Sequence, residues 1–508
     1  MLIGLFINRN QKVTMLSKKI IFKFFILIIS LATGHMRAVA QEQFGLRLDN
    51  FAGVSGLPLN PSAAATYPLA FDINILGGGF FGSTNVGHVQ KASVFGVLRN
   101  SDRIAISPNL GFETTIANPK YYLDFRQSSI RKYGLGLGRI ELPSFLVNFY
   151  GGHSFGMVNS FRTYLGSSDL PKASNYYLIK NTPRGTPINI EPFRFSLAAW
   201  TEIGLNYGYR SELDNGDDFA FGITLKYLLP AQAAFFENRT NTKITEVAPD
   251  VWTADSLNLE VAFTKDAQNN LFSSKGSGFG ADLGISYVSQ PDQNGRPAFR
   301  LGFSLLDLGR MTFSNNSELH RLAKKPLATF TDTTFGTISP DVDFVTESMR
   351  ILTERVLGSG KNSKIAENFD MTLPTALSFQ ADVHLEDFLD DNFFVGGALI
   401  QRIGSNNRGA VRPNQFIVAP RWETRWLGAS LPISLLEWQQ VRVGFSARLA
   451  FLTLGTADLG SFIYQNKLRS SDFYIALKFN PFSDGKIGEY GGNSGGRSKS
   501  NSEKCYKF

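Results

Sequence analysis

Residues 219–228 read Phe-Ala-Phe-Gly-Ile-Thr-Leu-Lys-Tyr-Leu. One side of this run holds Phe219, Phe221, Ile223, Leu225 and Tyr227. The other holds Ala220, Gly222, Thr224, Lys226 and Leu228. Period-two alternation is the signature of a β-strand. The same pattern returns at 279–288, where Phe279, Ala281, Leu283, Ile285 and Tyr287 alternate with Gly280, Asp282, Gly284, Ser286 and Val288. It returns again at 299–305, 441–450 and 473–479. A soluble sandwich also alternates, but here the apolar side is almost purely large, while the other side is rich in Gly and Ser with scattered charge. The segments run to about ten residues, longer than the usual globular strand of about five or six. Ten tilted residues cross a bilayer core, and lipid admits only helices and closed barrels. No segment of the exported body resembles a membrane helix. The fold class expected is therefore all-β: an antiparallel transmembrane β-barrel.

Candidate strands lie near residues 70–80, 89–98, 103–114, 133–140, 144–151, 154–165, 193–200, 202–210, 219–228, 257–264, 279–288, 298–306, 375–384, 392–401, 414–426, 440–450 and 472–480. Some must be loop or lumen pieces. Single-chain bacterial barrels favour even numbers, so we expect about 14 strands, within 12–16. Aromatic doublets such as Phe80-Phe81, Tyr121-Tyr122, Tyr176-Tyr177, Phe235-Phe236 and Phe393-Phe394 are expected at the membrane interfaces.

The 508-residue chain carries a net charge of +8 and a single cysteine, Cys505. Location decides what the charge means. Arg9, Lys12, Lys18, Lys19, Lys23 and Arg37 stand in residues 1–40 without an acid, and residues 481–508 hold five cations against three acids. Residues 41–480 are therefore neutral, and no nucleic-acid partner is implied. Lys18 and Lys19 precede the apolar run 20–31, and Ala38-Val39-Ala40 supplies a small-x-small site. This describes a secretory signal over 1–40, cleaved after Ala40. Met15 is an alternative start. No cysteine follows the run, so lipid attachment is excluded, and one cysteine rules out a disulfide scaffold or a thiolate metal site. Residues 481–508 read as a Gly/Ser/Lys tail.

Residues 311–373 interrupt the strand pattern. Inside them Val342, Val345, Met349, Leu352 and Val356 follow helical spacing. Ser339 suits an N-cap, Pro340 the first helical position, and Gly358 the stop, so a helix is expected over 340–357. A lid, a plug or a partner platform would each use such an insert, as would a helix packing its stripe on the rim, the reading we favour.

Motifs that carry chemistry are sparse. His88, His153, His320 and His384 share no metal-ligand spacing. Asp382 and His384 share one strand face and could form an acid–base pair in the lumen, as a barrel lipid hydrolase would need. No nucleophile or oxyanion donor accompanies them. We therefore expect no enzyme, no catalytic residue, no cofactor and no metal. Arg442, Arg448, Arg300, Lys226 and Asp282 are expected to face a polar interior.

The stretch Phe51–Ala65, FAGVSGLPLNPSAAA, resembles the Asn-Pro-Ala segment that opens outer-membrane barrels of the FadL-type long-chain fatty-acid transporters; here it reads Asn60-Pro61-Ser62-Ala63. Leu142-Pro143-Ser144-Phe145, GFGADLGISY at 278–287, LPTALSFQADV at 373–383 and SDFYIALKF at 471–479 are similar to an uncharacterised Bacteroidota barrel family allied to those transporters. The resemblance covers most of 41–480 and implies a barrel of about 14 strands over 69–480 with an N-terminal plug over 41–68. It further implies outer-membrane location and passage of small, hydrophobic solutes. Ser62 departs from the family's alanine. Read from chemistry alone, Asn60-Pro61 is equally a turn that begins a short helix. The expected partners are outer-membrane lipid and a hydrophobic small molecule. The rival reading is a scaffold barrel of an envelope machine, with an envelope protein as partner.

Overall fold

A computed structural model describes residues 43–480, apart from 111–115, 117, 128–129, 175, 250, 266–272, 291–296, 325–327, 332–343, 386–391 and 405–407. The expected signal and tail lie outside the described residues. The fold is a closed antiparallel barrel of 14 strands. They are β1 (Phe71–Thr84), β2 (Lys132–Glu141 and Ser144–Asn148), β3 (His153–Leu170), β4 (Phe193–Glu212), β5 (Asp218–Asn238), β6 (Gly276–Val288) and β7 (Phe299–Phe313). They continue as β8 (Phe369–Thr372 and Ala376–His384), β9 (Phe393–Arg402), β10 (Gln415–Glu423), β11 (Leu427–Ser430 and Ile433–Leu436), β12 (Gln440–Val443 and Phe445–Leu449), β13 (Leu452–Thr456) and β14 (Ser470–Phe479). Closure falls at β1, where Phe80 is paired with Phe473 of β14 on one side and Gly138 of β2 on the other. Pro143, Pro374 and Pro432 fall at the breaks in β2, β8 and β11, because proline cannot donate to the ladder.

The wall is inside-out relative to a soluble protein. Leu225 is 57% exposed and Phe279 71%, while Lys226 is 7% and Asp282 2% exposed. Only lipid stabilises such an outer surface, so this is a membrane-spanning barrel. Short turns at 149–152, 213–217, 424–426 and 450–451 occupy one end; long connections at 85–131, 171–192, 239–275 and 314–368 occupy the other. In outer-membrane-type barrels the short-turn end is periplasmic and the long-loop end extracellular, and we name the ends accordingly.

Several expected segments change place. Residues 133–140 and 144–151 belong to one interrupted strand, β2, and 193–200 with 202–210 fuse into β4. Residues 89–98 are not wall: Gly87–Ala92 joins Ile104–Ile106, Tyr121–Phe125 and Gln465–Leu468 in a small extracellular sheet, followed by the helix Val94–Arg99. Leu257–Thr264 pairs with the upper end of β5 and with Ser317–Lys324, forming a flap above the membrane part of the wall. The wall strands β11 and β13 were not anticipated. The doublets do not all form girdles. Phe81, Phe235 and Phe236 are buried, and Tyr121-Tyr122 and Tyr176-Tyr177 belong to extracellular elements.

The expected insertion over 311–373 is shorter. β7 runs on to Phe313 and β8 begins at Phe369, and these two rings stack across the pair with centroids 5.0 Å apart. The helix described is Phe344–Leu357, and the part expected over 340–343 lies outside the described residues. Its Met349, Leu352 and Val356 are buried against the flap and a second four-stranded sheet, Ile188–Ile190, Thr242–Ala248, Val251–Asp255 and Ala328–Thr331.

Candidate functional site: the filled lumen and its extracellular cavity

The residues before β1 run inside the periplasmic half of the barrel. Asn60 begins a 3-10 turn, Pro61–Ala64, with Pro61 in the first position. Its Oδ1 accepts from the Ser62 N–H at 3.0 Å and the Ser62 hydroxyl at 2.7 Å. Its Nδ2 donates to the Ile285 carbonyl, the Ser286 hydroxyl and Gln380 Oε1 at 3.1, 3.2 and 3.0 Å. Ser62 Oγ lies 2.6 Å from Ser286 Oγ, and Ser304 donates to the Leu59 carbonyl at 2.7 Å. Ala63 packs with Leu57, Tyr67 and Leu146. The turn therefore satisfies its own end groups and grips β6–β8 at the same time.

The wall makes room for it. Gly208, Gly222 and Gly284 form one cross-strand row. A Cβ on Gly222 would strike the Pro61 backbone, and one on Gly284 would sit 2.8 Å from Pro61 Cδ. Glycine in a strand interior often marks a close backbone approach. The other half of the segment is tied to the opposite wall. Asp49 pairs with Arg448 at 2.8 Å, the Asn50 N–H donates to Glu423 at 3.1 Å, and the Val54 N–H donates to Asp72 at 2.7 Å. Lys478 donates to the carbonyls of Phe51 and Ala52.

A belt of charge crosses the lumen above the segment. Arg162 holds Asp307 at 2.8 Å and Glu202 at 3.0 Å; Lys226 holds Asp282 at 2.6 Å and Asp307 at 2.7 Å. Arg139 reaches Glu202 at 3.1 Å, and Arg412, from the β9–β10 connection, approaches Asp307 at 3.5 Å. Asp307 has φ +55°, a left-handed value, at a bulge in β7. Such a conformation persists only where its surroundings enforce it; here three cations converge on the carboxylate.

Above the belt the lumen turns apolar: Phe81, Tyr133, Leu137, Tyr164, Trp200, Leu228, Phe235, Met311 and Met371 form one buried cluster. At Pro230 a bulge shifts the register of β5, so Phe235 joins this cluster while Phe236 faces outward. There, above the membrane part of the wall, Phe236, Phe193, Leu257 and Leu259 meet Ile244 and Trp252 of the four-stranded sheet and Leu352 of the helix. They line an open-sided cavity of about 160 Å³ with almost no polar lining.

The expected lumen charges Lys226, Asp282, Arg442 and Arg448 are all buried inside. Arg300 lines a smaller cavity, about 70 Å³, beside the N-terminal segment. Asp382 and His384 take separate partners. Asp382 meets Arg421 at 3.0 Å, and the His384 ring stacks on Phe394 at 4.5 Å. The belt residues Arg162, Glu202 and Asp307 were not singled out in the sequence; nor were Phe193 and Trp252, and Phe236 was read only as part of an interfacial doublet. No group of three or more potential metal ligands occurs among the described residues.

Outside the membrane the flap carries a titrating pair. His320 Nε2 lies 3.3 Å from Glu318 and its Nδ1 2.9 Å from Ser363 Oγ. Burial holds the imidazole below its usual value, with Glu318 opposing less strongly. Burial would raise Glu318, but hydrogen bonds from Lys265, Lys364 and His320 outweigh it and hold the carboxyl below its usual range.

The fold and lumen define a class: a membrane β-barrel of the outer-membrane type whose interior is occupied by its own N-terminal segment. Within that class the chain belongs to DUF5723, a family of unknown function, whose profile matches residues 61–457. Among curated proteins no relative matches. The chain is similar to the solved structure of the Pseudomonas putida toluene transporter TodX, at 9% identity over 85% of this chain and 94% of that one, with a TM-score of 0.38. It is also similar to a Pseudomonas aeruginosa FadL homologue, at 8% identity over 88% and 100%, with a TM-score of 0.22.

Proposed function

We propose that this protein resides in the outer membrane and admits small apolar solutes. The observation that carries the reading is the extracellular cavity of about 160 Å³, walled by Phe193, Phe236, Ile244, Trp252, Leu257 and Leu352. A concave, apolar cleft is what a small-molecule site requires. The buried apolar cluster of the upper lumen lies across β5 from it, through the neighbouring rings of Phe235 and Phe236. In this reading the cavity captures the solute, and the segment around Asn60, Pro61, Ser62 and Ala63 is the plug that keeps the periplasmic half closed at rest. The helix Phe344–Leu357 spends its apolar stripe on packing, which favours this reading over a scaffold that would present the stripe to a partner.

Trp252 offers the readout. The folded barrel in neutral-lipid nanodiscs is titrated with toluene and with a medium-chain fatty acid while tryptophan emission is followed. Saturable change is expected, and Ala254→Phe, which fills the cavity, should weaken binding about tenfold. Loss of saturation in the unmodified protein, or no effect of the filled cavity, overturns the proposal.

A further inference from the structure

In the lumen, Arg139, Arg162, Lys226, Arg421 and Arg448 each meet a carboxylate within 3.1 Å. A group of cations at one part of the extracellular rim does not. Between the tops of β1, β2 and β12 and the 457–469 connection lies a polar cavity of about 240 Å³. Arg126, Lys467 and Arg469 line it, and none of the three has an ion pair among the described residues. The Lys132 ammonium donates to the Arg126 carbonyl at 3.3 Å, adding a fourth positive charge alongside. The facing carboxylate, Asp458, takes a hydrogen bond from Ser470. Arg469 Nε is buried without an acceptor. Burial and then the nearby Arg126 hold the Arg469 guanidinium below its usual value. Asn85 and Gln440 are fixed beside them, Asn85 donating to Gln439 at 2.8 Å and Gln440 accepting from the Tyr133 hydroxyl at 2.8 Å.

Clustered cations with an orphaned donor cost free energy until an anion arrives. Arginine forks lining one concave site suit the tetrahedral oxygens of phosphate. We infer that this cavity is a binding site for a phosphate group, either free phosphoanion or the phosphorylated headgroup of an outer-leaflet lipid. The second source has local support. Val441 lines the cavity and is 69% exposed, and Ile463 and Tyr464, on the same connection as Lys467, are 63% and 61% exposed. An acyl chain would have an apolar surface to follow.

The test uses the full chain in two arms. In the first, protein in phosphatidylcholine nanodiscs is titrated with inorganic phosphate by calorimetry. In the second, phosphate-bearing lipid retained through detergent purification is quantified by 31P spectroscopy. Arg126→Gln with Arg469→Gln should weaken phosphate binding at least tenfold, or strip the retained lipid. Lys467→Gln, an exposed change, should weaken it severalfold without affecting folding, and Arg469→Lys should restore part of the binding. Saturable free phosphate identifies a soluble ligand; retained lipid without free-phosphate binding identifies a headgroup. If the unmodified protein binds neither, or if both arms are indifferent to the glutamine variants, the inference is overturned.

Discussion

Gly222 sits where two requirements meet: the strand must continue, and the Pro61 turn must lie directly on it. Any larger side chain displaces the turn before it disturbs the ladder. Gly222→Val should leave the barrel folded but raise its conductance in planar bilayers severalfold, since the N-terminal segment loses its seat; unchanged conductance would count against the segment as the closure. Asp307 poses a different case. Breaking a buried charge pair from one side costs about 3–5 kcal/mol, and asparagine tolerates the left-handed backbone. Asp307→Asn should therefore lower the unfolding free energy by an amount of that order, read as a lower urea midpoint at unchanged slope when unfolding is followed by heat-modifiable gel mobility. Legibility at this scale was uneven for a physical reason. Lys226, Asp282, Arg442 and Arg448 could be assigned to the lumen by alternation alone. Asp307 could not. Phe299, Leu301, Phe303 and Leu305 put the odd-numbered residues of β7 on the lipid face, and only the bulge at 306–307 turns Asp307 inward. Likewise the Gly-rich face was readable as lumen, but the turn it receives, Pro61–Ala64, lies far earlier in the chain.

The flap shows both the reach and the limit of pattern at the level of elements. The helical stripe Met349, Leu352 and Val356 was visible in the spacing and is buried as a stripe should be. Leu257–Thr264, by contrast, alternates as wall strands do, and nothing local reveals that its partner is the extension of β5 above the membrane. β13, five residues long, was too short to register. The flap also has a defined response to pH. His320 and Glu318 are each held below their usual values. In each case the unfolded group binds its proton more readily than the folded one, so stability is lost as pH falls. The two act in succession, His320 first below about 6.5. Protection from hydrogen exchange over 317–324, corrected for the intrinsic rate, should fall between pH 7 and pH 5, and His320→Gln should remove the earlier part of that response. Equal protection at both values would contradict the assignment.

At the scale of the whole molecule, the number of strands was legible although several individual strands were not. Errors of opposite sense compensated: two pairs of segments were one strand each, three segments belonged to extracellular sheets or the flap, and two wall strands were missed. The run of large apolar residues at alternate positions was the firmer clue, because so many of their side chains face outward. Of the layers inside the barrel, the charge belt and the apolar upper lumen were not legible, since they are assembled by pairing across the whole chain; an N-terminal segment in the lumen was expected from the resemblance alone. What all of this rests on is the inside-out wall. Spin labels placed singly at 219–228, in a Cys505→Ser background and in liposomes, test it most directly. Collision with oxygen should follow a period of two, high at 219, 221, 223, 225 and 227, with low access to a water-soluble nickel chelate at those positions. Strong chelate access at the odd positions, or no alternation at all, would contradict a membrane barrel.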